Sequence, residues 1–342
     1  MLKILGAALC ATALAGSVAT AVPSATPAGA ATTSANTSAA TSAATSAAND
    51  APTVMIKPRA LDRGPDATTP HLKGRFVVDG EVRLRVRGKQ RHLLGRSGDG
   101  YVVVVLRGED YRAVRIRPGR RQRVLFETSP GRSVLSADGS TIATVDRIAR
   151  RTSIDVRSAV DGALIASRGG FRGYPSILDV AGDHVLTGSF ENGAHDWDVR
   201  ADTVEKVSRK PAYEADLGTD RLAYFTADPY DGGCSVVTTV SPPRATLWRS
   251  CREAVLAFSP DGERLVTTHK LADGLGPAKV VERTVRGDRL ATYRVPFFFG
   301  LISWESSTDL VLDSYATKQG ALVRCSEGDC ERASDLRPTP RL

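Results

Sequence analysis

Residues that could support catalysis are few and scattered along this 342-residue chain. Its five histidines form no H-x-x-x-H or H-E-x-x-H pattern, and no G-x-S-x-G motif presents a nucleophilic serine. The most suggestive group is His195 beside Asp196, since a histidine next to a carboxylate can take part in acid–base chemistry. The alternative is that this pair belongs to hairpin structure. We therefore assign no catalytic residue, no metal site and no cofactor from the sequence.

Two polar segments could form a binding site instead. They read "TADPYDGGCS" from Thr226 and "THKLADGLGPAK" from Thr267. Their side chains that could bind calcium or a sugar are Asp228, Tyr230, Asp231, His269 and Asp273. Extra loop length on a rigid scaffold is where binding function tends to lie. The competing interpretation is that these side chains only solvate turns.

Positive charge is concentrated in one part of the chain. The net charge is +8, and residues 73–123 contain fifteen Lys and Arg against five Asp and Glu. In "EVRLRVRGKQR" from Glu81, arginines alternate with apolar residues, which predicts a strand with Arg83, Arg85 and Arg87 on one face. A second group surrounds the Pro118–Gly119 turn and includes Arg112, Arg115, Arg117, Arg120, Arg121 and Arg123.

These arginines have two interpretations. The first is a platform for a polyanion such as an anionic cell-wall polymer, lipid head groups or nucleic acid. The candidate contacts are Arg83, Arg85, Arg87, Arg115, Arg117, Arg120 and Arg121. The second is a charged outer strand that discourages edge-to-edge pairing. Nucleic acid is the least favoured partner, because no stacking aromatic residues are interleaved with these arginines.

An internal repeat predicts the elements that would position these residues. The segments 154–157 and 197–200 share the sequence D-V-R at an offset of 43 residues. Equivalent apolar positions lie at Val102, Ile142, Val185, Leu222, Leu265 and Leu310, in steps of 40, 43, 37, 43 and 45. This is the period of a four-stranded propeller blade. The D-V-R segment is then predicted to be the third strand of a blade, and to recur because every blade makes the same outer turn.

The chemistry of the runs agrees with an all-β chain. Short apolar and β-branched runs are separated by Asp-Gly, Gly-Asp, Pro-Gly or Pro-Pro. We count six units and expect a single β-propeller of about six four-stranded blades, with seven as the alternative. The hairpin in "GRFVVDGEVRLRVRG", turning at Asp79–Gly80, is left over. It could complete the last blade or begin a seventh.

Two sequence lines resemble the WD40-like and TolB-like β-propeller repeats. "SADGSTIATV" (136–145) and "SPDGERLVTT" (259–268) match the S-x-D-G line, and "WDVRADT" (197–203) matches the W-D-x-R line. The resemblance covers roughly residues 93–335. Within this class, the chain is similar to secreted propellers of actinobacteria. It implies a propeller fold but no particular function, since such folds host binding proteins, scaffolds and enzymes.

Four cysteines outside the N-terminal segment predict two disulfides. The repeat places Cys234 opposite Cys251 across a hairpin about Pro242–Pro243, and Cys325 opposite Cys330 across the Glu327–Gly328 turn. The rival is a four-cysteine metal site. It is disfavoured because no C-x-x-C occurs and no histidine neighbours either pair.

The N-terminal region predicts export. A basic start and a weakly apolar, charge-free stretch ending near small residues have the layout of a cleaved signal peptide, assigned to residues 1–30. Residues 31–70 begin with an Ala/Ser/Thr-rich run and are assigned to a disordered linker. The propeller is assigned to residues 71–335 and a C-terminal tail to 336–342. No membrane span is expected after cleavage.

The function we expect is binding without catalysis. The chain would be a secreted or cell-wall-associated monomer that binds a ligand or protein at the bacterial cell envelope, an anionic polymer being one candidate. Two alternatives stay open. One is a propeller enzyme, a lyase or hydrolase with its site in the central channel or the long loops. The other is a structural surface spacer.

Overall fold

The described residues fold into seven sheets built from antiparallel strands, with one added parallel strand, and these sheets form the blades of one β-propeller. The computed structural model describes residues 51–129, 131–148, 151–242 and 244–340. Blade 1 contains β2 (His71–Lys73), β3 (Phe76–Asp79) and β4 (Val82–Arg85). Blade 2 contains β5 (Lys89–Ser97), β6 (Gly100–Arg107), β7 (Asp110–Ile116) and β8 (Arg123–Thr128). Blade 3 contains β9 (Ser133–Leu135), β10 (Thr141–Ile148), β11 (Arg151–Ser158) and β12 (Leu164–Gly169).

The remaining four blades repeat the same order of strands. Blade 4 contains β13 (Ser176–Ala181), β14 (His184–Ser189), β15 (Gly193–Asp198) and β16 (Thr203–Ser208). Blade 5 contains β17 (Ala212–Asp216), β18 (Arg221–Phe225), β19 (Ser235–Thr238) and β20 (Trp248–Ser250). Blade 6 contains β21 (Glu253–Phe258), β22 (Arg264–His269), β23 (Lys279–Thr284) and β24 (Arg289–Arg294). Blade 7 contains β25 (Phe298–Trp304), β26 (Leu310–Tyr315), β27 (Gln319–Ser326) and β28 (Asp329–Arg332).

The first strand of each blade is its innermost strand. Along the chain from β2 to β25, each first strand packs against the first strand of the next blade, which produces the radial arrangement. The second strands lie deepest because both of their faces meet another blade. In β6 the run Val102–Val105 is fully buried, which explains why this strand is continuously apolar instead of alternating.

The predicted repeat positions coincide with the second strands. Val102 pairs with Gly95 and Arg115, and Ile142 pairs with Leu135 and Arg157. The other four predicted positions occupy the same place in blades 4 to 7 and are fully buried: Val185, Leu222, Leu265 and Leu310. The period of about 40 residues is therefore one blade.

The two segments that share D-V-R are not equivalent in register, which corrects the reason given for their recurrence. Both lie on or at the end of a third strand, β11 and β15. However, Ile142 pairs with Arg157, whereas its equivalent Val185 pairs with Trp197. The two copies are thus displaced by three residues along the strand. They do not make the same turn, and the buried second strands define the repeat instead.

The blade count is seven, and the preference for six was wrong. The hairpin turning at Asp79–Gly80 does not complete the last blade, because blade 7 supplies its own four strands. It joins β2 to form blade 1, which has three strands in the described part of the chain. The strand β2 contains only three residues, too few to show a pattern in the sequence.

Residues 51–70 of the segment assigned to a linker contain regular structure, which corrects the boundary at residue 70. The strand β1 (Thr53–Met55) pairs in parallel with β24, and a 3-10 helix follows at Pro58–Ala60. The next residues run along blade 7, where Arg332 N donates to Asp62 O and Ala67 N donates to Ala333 O. Ile56 is fully buried in the core shared by blades 6 and 7. Residues 1–30, predicted to be a signal peptide, and residues 31–50 lie outside the described residues.

The C-terminal segment and the cysteines also belong to the blades. A short strand β29 (Arg337–Pro338) pairs with β27 inside the stretch assigned to a tail. Both expected disulfides are present, Cys234–Cys251 and Cys325–Cys330. Cys325 and Cys330 are direct partners across the β27–β28 hairpin.

Candidate functional site

Blade 1 presents the predicted arginine strand. In β4 and the two residues after it, Arg83, Arg85 and Arg87 are exposed, while Val82, Leu84 and Val86 point the other way. That apolar face packs against β6 and β7 of blade 2 in a common core. The alternation expected from the sequence is therefore realised, with the charges on the solvent side.

An aromatic ring orders part of this surface. Phe76 of β3 is the direct partner of Arg85. The guanidinium carbon of Arg83 lies 4.2 Å from the centroid of the Phe76 ring, and that of Arg75 lies 5.7 Å from it. Cation–π contacts of this kind hold guanidinium groups in place without neutralising them.

A side chain of blade 2 joins the two arginine groups. The Arg87 N–H donates to Gln122 Oε1 at 2.8 Å, and Gln122 Nε2 donates to Arg87 O at 2.9 Å. Gln122 directly follows Arg120 and Arg121, which are exposed and have no carboxylate partner among the described residues. We call the exposed set Arg75, Arg83, Arg85, Arg87, Arg120 and Arg121 the basic surface.

Two of the predicted arginines do not belong to this surface. Arg115 is only 7% exposed, and its guanidinium donates to Asp99 Oδ1 at 2.9 Å and to Ser97 O at 3.0 Å. Arg117 is partly exposed, and its guanidinium lies 3.6 Å from Asp99 Oδ2. The sequence missed this because Asp99 lies in another hairpin and reaches these arginines only in the folded blade.

The two long loops lie side by side, as expected from their positions in neighbouring blades. Lys270 Nζ donates to Gly233 O at 2.6 Å. Their candidate ligands do not converge, however: Asp228 Oδ1 accepts from its own loop at Tyr230 N, and His269 Nδ1 accepts from Leu271 N. No group of three His, Cys, Asp or Glu side chains suited to a metal occurs in the described residues.

The remaining predicted members of the loop site, Asp231 and Asp273, are exposed, as is Tyr230. Nothing in the described structure brings them to the atoms of a shared site. The interpretation in which these side chains solvate turns is the one the contacts favour.

His195 and Asp196 do not act as a pair. They are successive residues of β15 and therefore point to opposite faces. Asp196 Oδ2 lies 2.9 Å from His184 Nδ1. His195 is instead the direct partner of Lys206, and burial together with that charge lowers its pKa. His195 and Lys206 line a cavity of about 510 Å³, and Arg172 lines the same cavity.

Neighbouring innermost strands bring together an acidic group that sequence reasoning did not single out. Glu214 of β17 lies near Asp179 of β13 and Asp216. Burial and these two carboxylates raise the pKa of Glu214 to about 8. Burial also raises the pKa of Asp179, although its carboxylate accepts from Leu217 N at 2.7 Å. Each acid was visible in the sequence, but their approach depends on the packing of blades 4 and 5.

Comparisons with solved structures agree on the architecture. A chain of the mitotic checkpoint complex aligns with a TM-score of 0.53 at 15% identity, over 82% of this chain and 87% of that one. An uncharacterized protein of Listeria monocytogenes EGD-e aligns with a TM-score of 0.50 at 15% identity, over 80% and 85%. The β-propeller domain of Cps50 (Swd1) from Myceliophteria thermophila aligns with a TM-score of 0.50 at 10% identity, over 75% and 89%.

The fold is a WD40-like β-propeller. Identities this low show the fold alone. Neither a protein-family model nor a curated protein matches the sequence. Within the described residues, no helix has the length and apolar character needed to cross a membrane.

Proposed function

We propose that this propeller is a non-catalytic binding protein that holds an anionic ligand at the cell envelope, with an anionic cell-wall polymer as the first candidate. One observation carries the proposal. The basic surface gathers six exposed arginines from two blades, and no ion pair with a described carboxylate occupies any of them. The two other candidate contacts, Arg115 and Arg117, are paired with Asp99 and do not extend this surface.

The geometry suits a ligand with repeated charges. Arg83 and Arg85 project from alternate residues of one strand, and Gln122 connects that strand to Arg120 and Arg121. Bidentate guanidinium groups match phosphate and carboxylate oxygens. A surface of several exposed cations attracts a polyanion more strongly than a single charge, and salt screens that attraction.

We infer a secreted or cell-wall-associated location from two features taken together. The N-terminal sequence has the layout of a signal peptide. Two disulfides are characteristic of oxidising compartments. The TolB-like and actinobacterial resemblances stay predictions from sequence motifs.

The first experiment is co-sedimentation of the purified chain with bacterial cell-wall sacculi over a salt series. The test variant is R83E/R85E/R87E. The matched control is R209E/R286E/R289E, which makes the same change in net charge at exposed arginines of other blades. We expect salt-sensitive binding that the test variant loses by at least tenfold and the control retains.

Binding that ignores both variants, or no binding, would contradict the proposal. The arginines would then serve the second interpretation, protection of an outer strand against edge-to-edge pairing. The alternatives of a propeller enzyme and a surface spacer would next be separated by ligand screening at the central channel and the two loops.

A further inference from the structure

Within the part of the chain that the structure describes, strand β4 is an open sheet edge. Six blades have four consecutive strands each, whereas blade 1 ends at β4. Among the described residues, no strand pairs with the outer side of β4. Open edges present unpaired backbone donors and acceptors and can be extended by another chain.

The register identifies the open backbone groups. Val86 N donates to Arg75 O at 2.8 Å, so the backbone of Val86 faces β3. Because antiparallel pairs alternate, Leu84 also faces β3, and the N–H and C=O groups of Arg83 and Arg85 face outward. These four groups make no hydrogen bond to another described residue.

The next outward-facing residue shows what this edge accepts. At Arg87 both backbone groups are bound by the Gln122 amide, with N–H to Oε1 at 2.8 Å and Nε2 to O at 2.9 Å. A primary amide that donates and accepts in this way replaces the peptide group of a neighbouring strand. As far as the described residues extend, the edge is thus closed at Arg87 and open at Arg83 and Arg85.

The side chains around this edge define its occupant. An added antiparallel strand places its side chains opposite Arg83 and Arg85 on the same face, where acidic residues would pair with them. On the added strand, the residue between these two acidic residues points to the same side of the sheet as Leu84. Leu84 is partly buried in the core shared with blade 2. The complementary strand therefore reads acidic, apolar, acidic.

Charge disfavours two occupants that this protein itself could supply, a second copy of the chain and its own N-terminal residues. A second copy joined through its own β4 would set arginine against arginine, which opposes pairing. Residues 1–49 of this chain contain no Asp or Glu. The occupant consistent with these observations is an acidic segment of another protein.

We propose that β4 binds an extended acidic segment of a partner protein as the missing fourth strand of blade 1, with backbone hydrogen bonds to Arg83 and Arg85. The proposal rests on the proposed function in using the same basic surface, and it names the class of partner. Backbone pairing supplies affinity, and the alternating charges supply register.

The test uses three synthetic peptides of equal net charge. The first repeats Glu-Val, the second is the same peptide with alternate backbone nitrogens methylated, and the third contains the same residues in blocks. We expect the first to bind at least tenfold more tightly than the other two. Amide hydrogen exchange at Arg83 and Arg85 should slow when it binds. Equal affinity for all three, or unchanged exchange, would overturn the proposal.

A pair of variants separates backbone pairing from charge. R85P removes the outward N–H, and its matched control R85A removes the same charge but keeps that N–H. The β3–β4 ladder does not use this N–H, so thermal unfolding should confirm that R85P folds. We expect R85P to bind the alternating peptide at least tenfold more weakly than R85A, and equal binding would contradict strand addition.

The outcomes distinguish this inference from the proposed function. Suppose that sacculi bind in a salt-sensitive way that requires the arginines, while the three peptides bind equally. The proposed binding of an anionic ligand would then stand, and strand addition at β4 would be contradicted. If neither the sacculi nor any peptide binds in a way that depends on the arginines, both the proposed function and strand addition at β4 would be contradicted.

Discussion

Glu214 shows how an ordinary acidic residue acquires an unusual pKa through packing. Its carboxyl group is partly buried on an innermost strand, and Asp179 of the adjacent blade and Asp216 add like charges. These effects raise its pKa to about 8 from the usual value of 4.5. The folded chain therefore holds a proton that the unfolded chain has already released between these pH values.

The sign of the linkage follows from this difference. Because the unfolded state binds fewer protons between about pH 4.5 and 8, the contribution of Glu214 to stability falls as pH rises through this window. We expect E214Q to equal the wild-type chain in stability near pH 4 and to exceed it by on the order of 4 kcal/mol near pH 8.5. Urea unfolding at several pH values measures this difference.

The control for this prediction is E205Q, at an exposed glutamate of β16. Its effect on stability should not vary in the same window. A pH-independent difference between E214Q and wild type would show that the carboxyl of Glu214 titrates normally in the folded chain.

Arg115 and Arg83 show why the residue type alone does not assign a role. Both are arginines of strands in the basic region, yet Arg115 is buried against Asp99 and Arg83 is exposed over Phe76. The charge of Arg115 is therefore neutralised within blade 2, where it stabilises the hairpin that contains Asp99. Only the exposed arginines remain available for a partner.

The two disulfides each fasten one hairpin. Cys325–Cys330 spans 5 residues and Cys234–Cys251 spans 17. In the chain-entropy description, the longer closed loop stabilises more, by about 3 kcal/mol against about 2 kcal/mol. We expect C234A/C251A to lower the free energy of unfolding by about 3 kcal/mol and C325A/C330A by about 2 kcal/mol.

Urea unfolding of the two double variants checks this order, with reduction of the wild-type chain as the comparison. The reverse order, or a loss of cooperativity, would mean that a disulfide joins blades instead of fastening a hairpin. Blade-to-blade contacts near Cys325 come from other groups, since Arg264 of blade 6 pairs with Glu327 at 2.6 Å.

The N-terminal segment acts on the ring as a unit. It adds β1 to the outer edge of blade 6 and then runs along the outer edge of blade 7 before it enters blade 1. Ile56 lies at the point of transfer and is fully buried with Tyr293 and Phe299. The segment therefore links both blades next to the closure of the ring.

A large-to-small substitution tests this link. We expect I56A to lower the free energy of unfolding by about 3 kcal/mol, because it removes buried methylene groups and leaves a cavity. The control M55A changes a side chain that is 50% exposed and should stay within about 0.5 kcal/mol. Equal effects of the two in urea unfolding would show that the segment does not stabilise the ring.

The features that the sequence alone determined are local ones. Alternation places Arg83 and Arg85 on one strand face, and runs such as Val102–Val105 mark strands buried on both sides. Both disulfides followed from single hairpins, where cross-strand partners are close in the chain. These predictions succeeded because side-chain periodicity and turn chemistry act over a few residues.

Only the tertiary structure decided what depends on contacts between distant segments. The seventh blade depends on β2, too short to show a pattern, and the burial of Arg115 depends on Asp99 from another hairpin. The raised pKa of Glu214 requires Asp179 from a neighbouring blade. The edge of β4 is open because blade 1, within the described residues, has no fourth strand, whereas every other blade has one. Residues far apart in the chain meet only through packing, which no local pattern records.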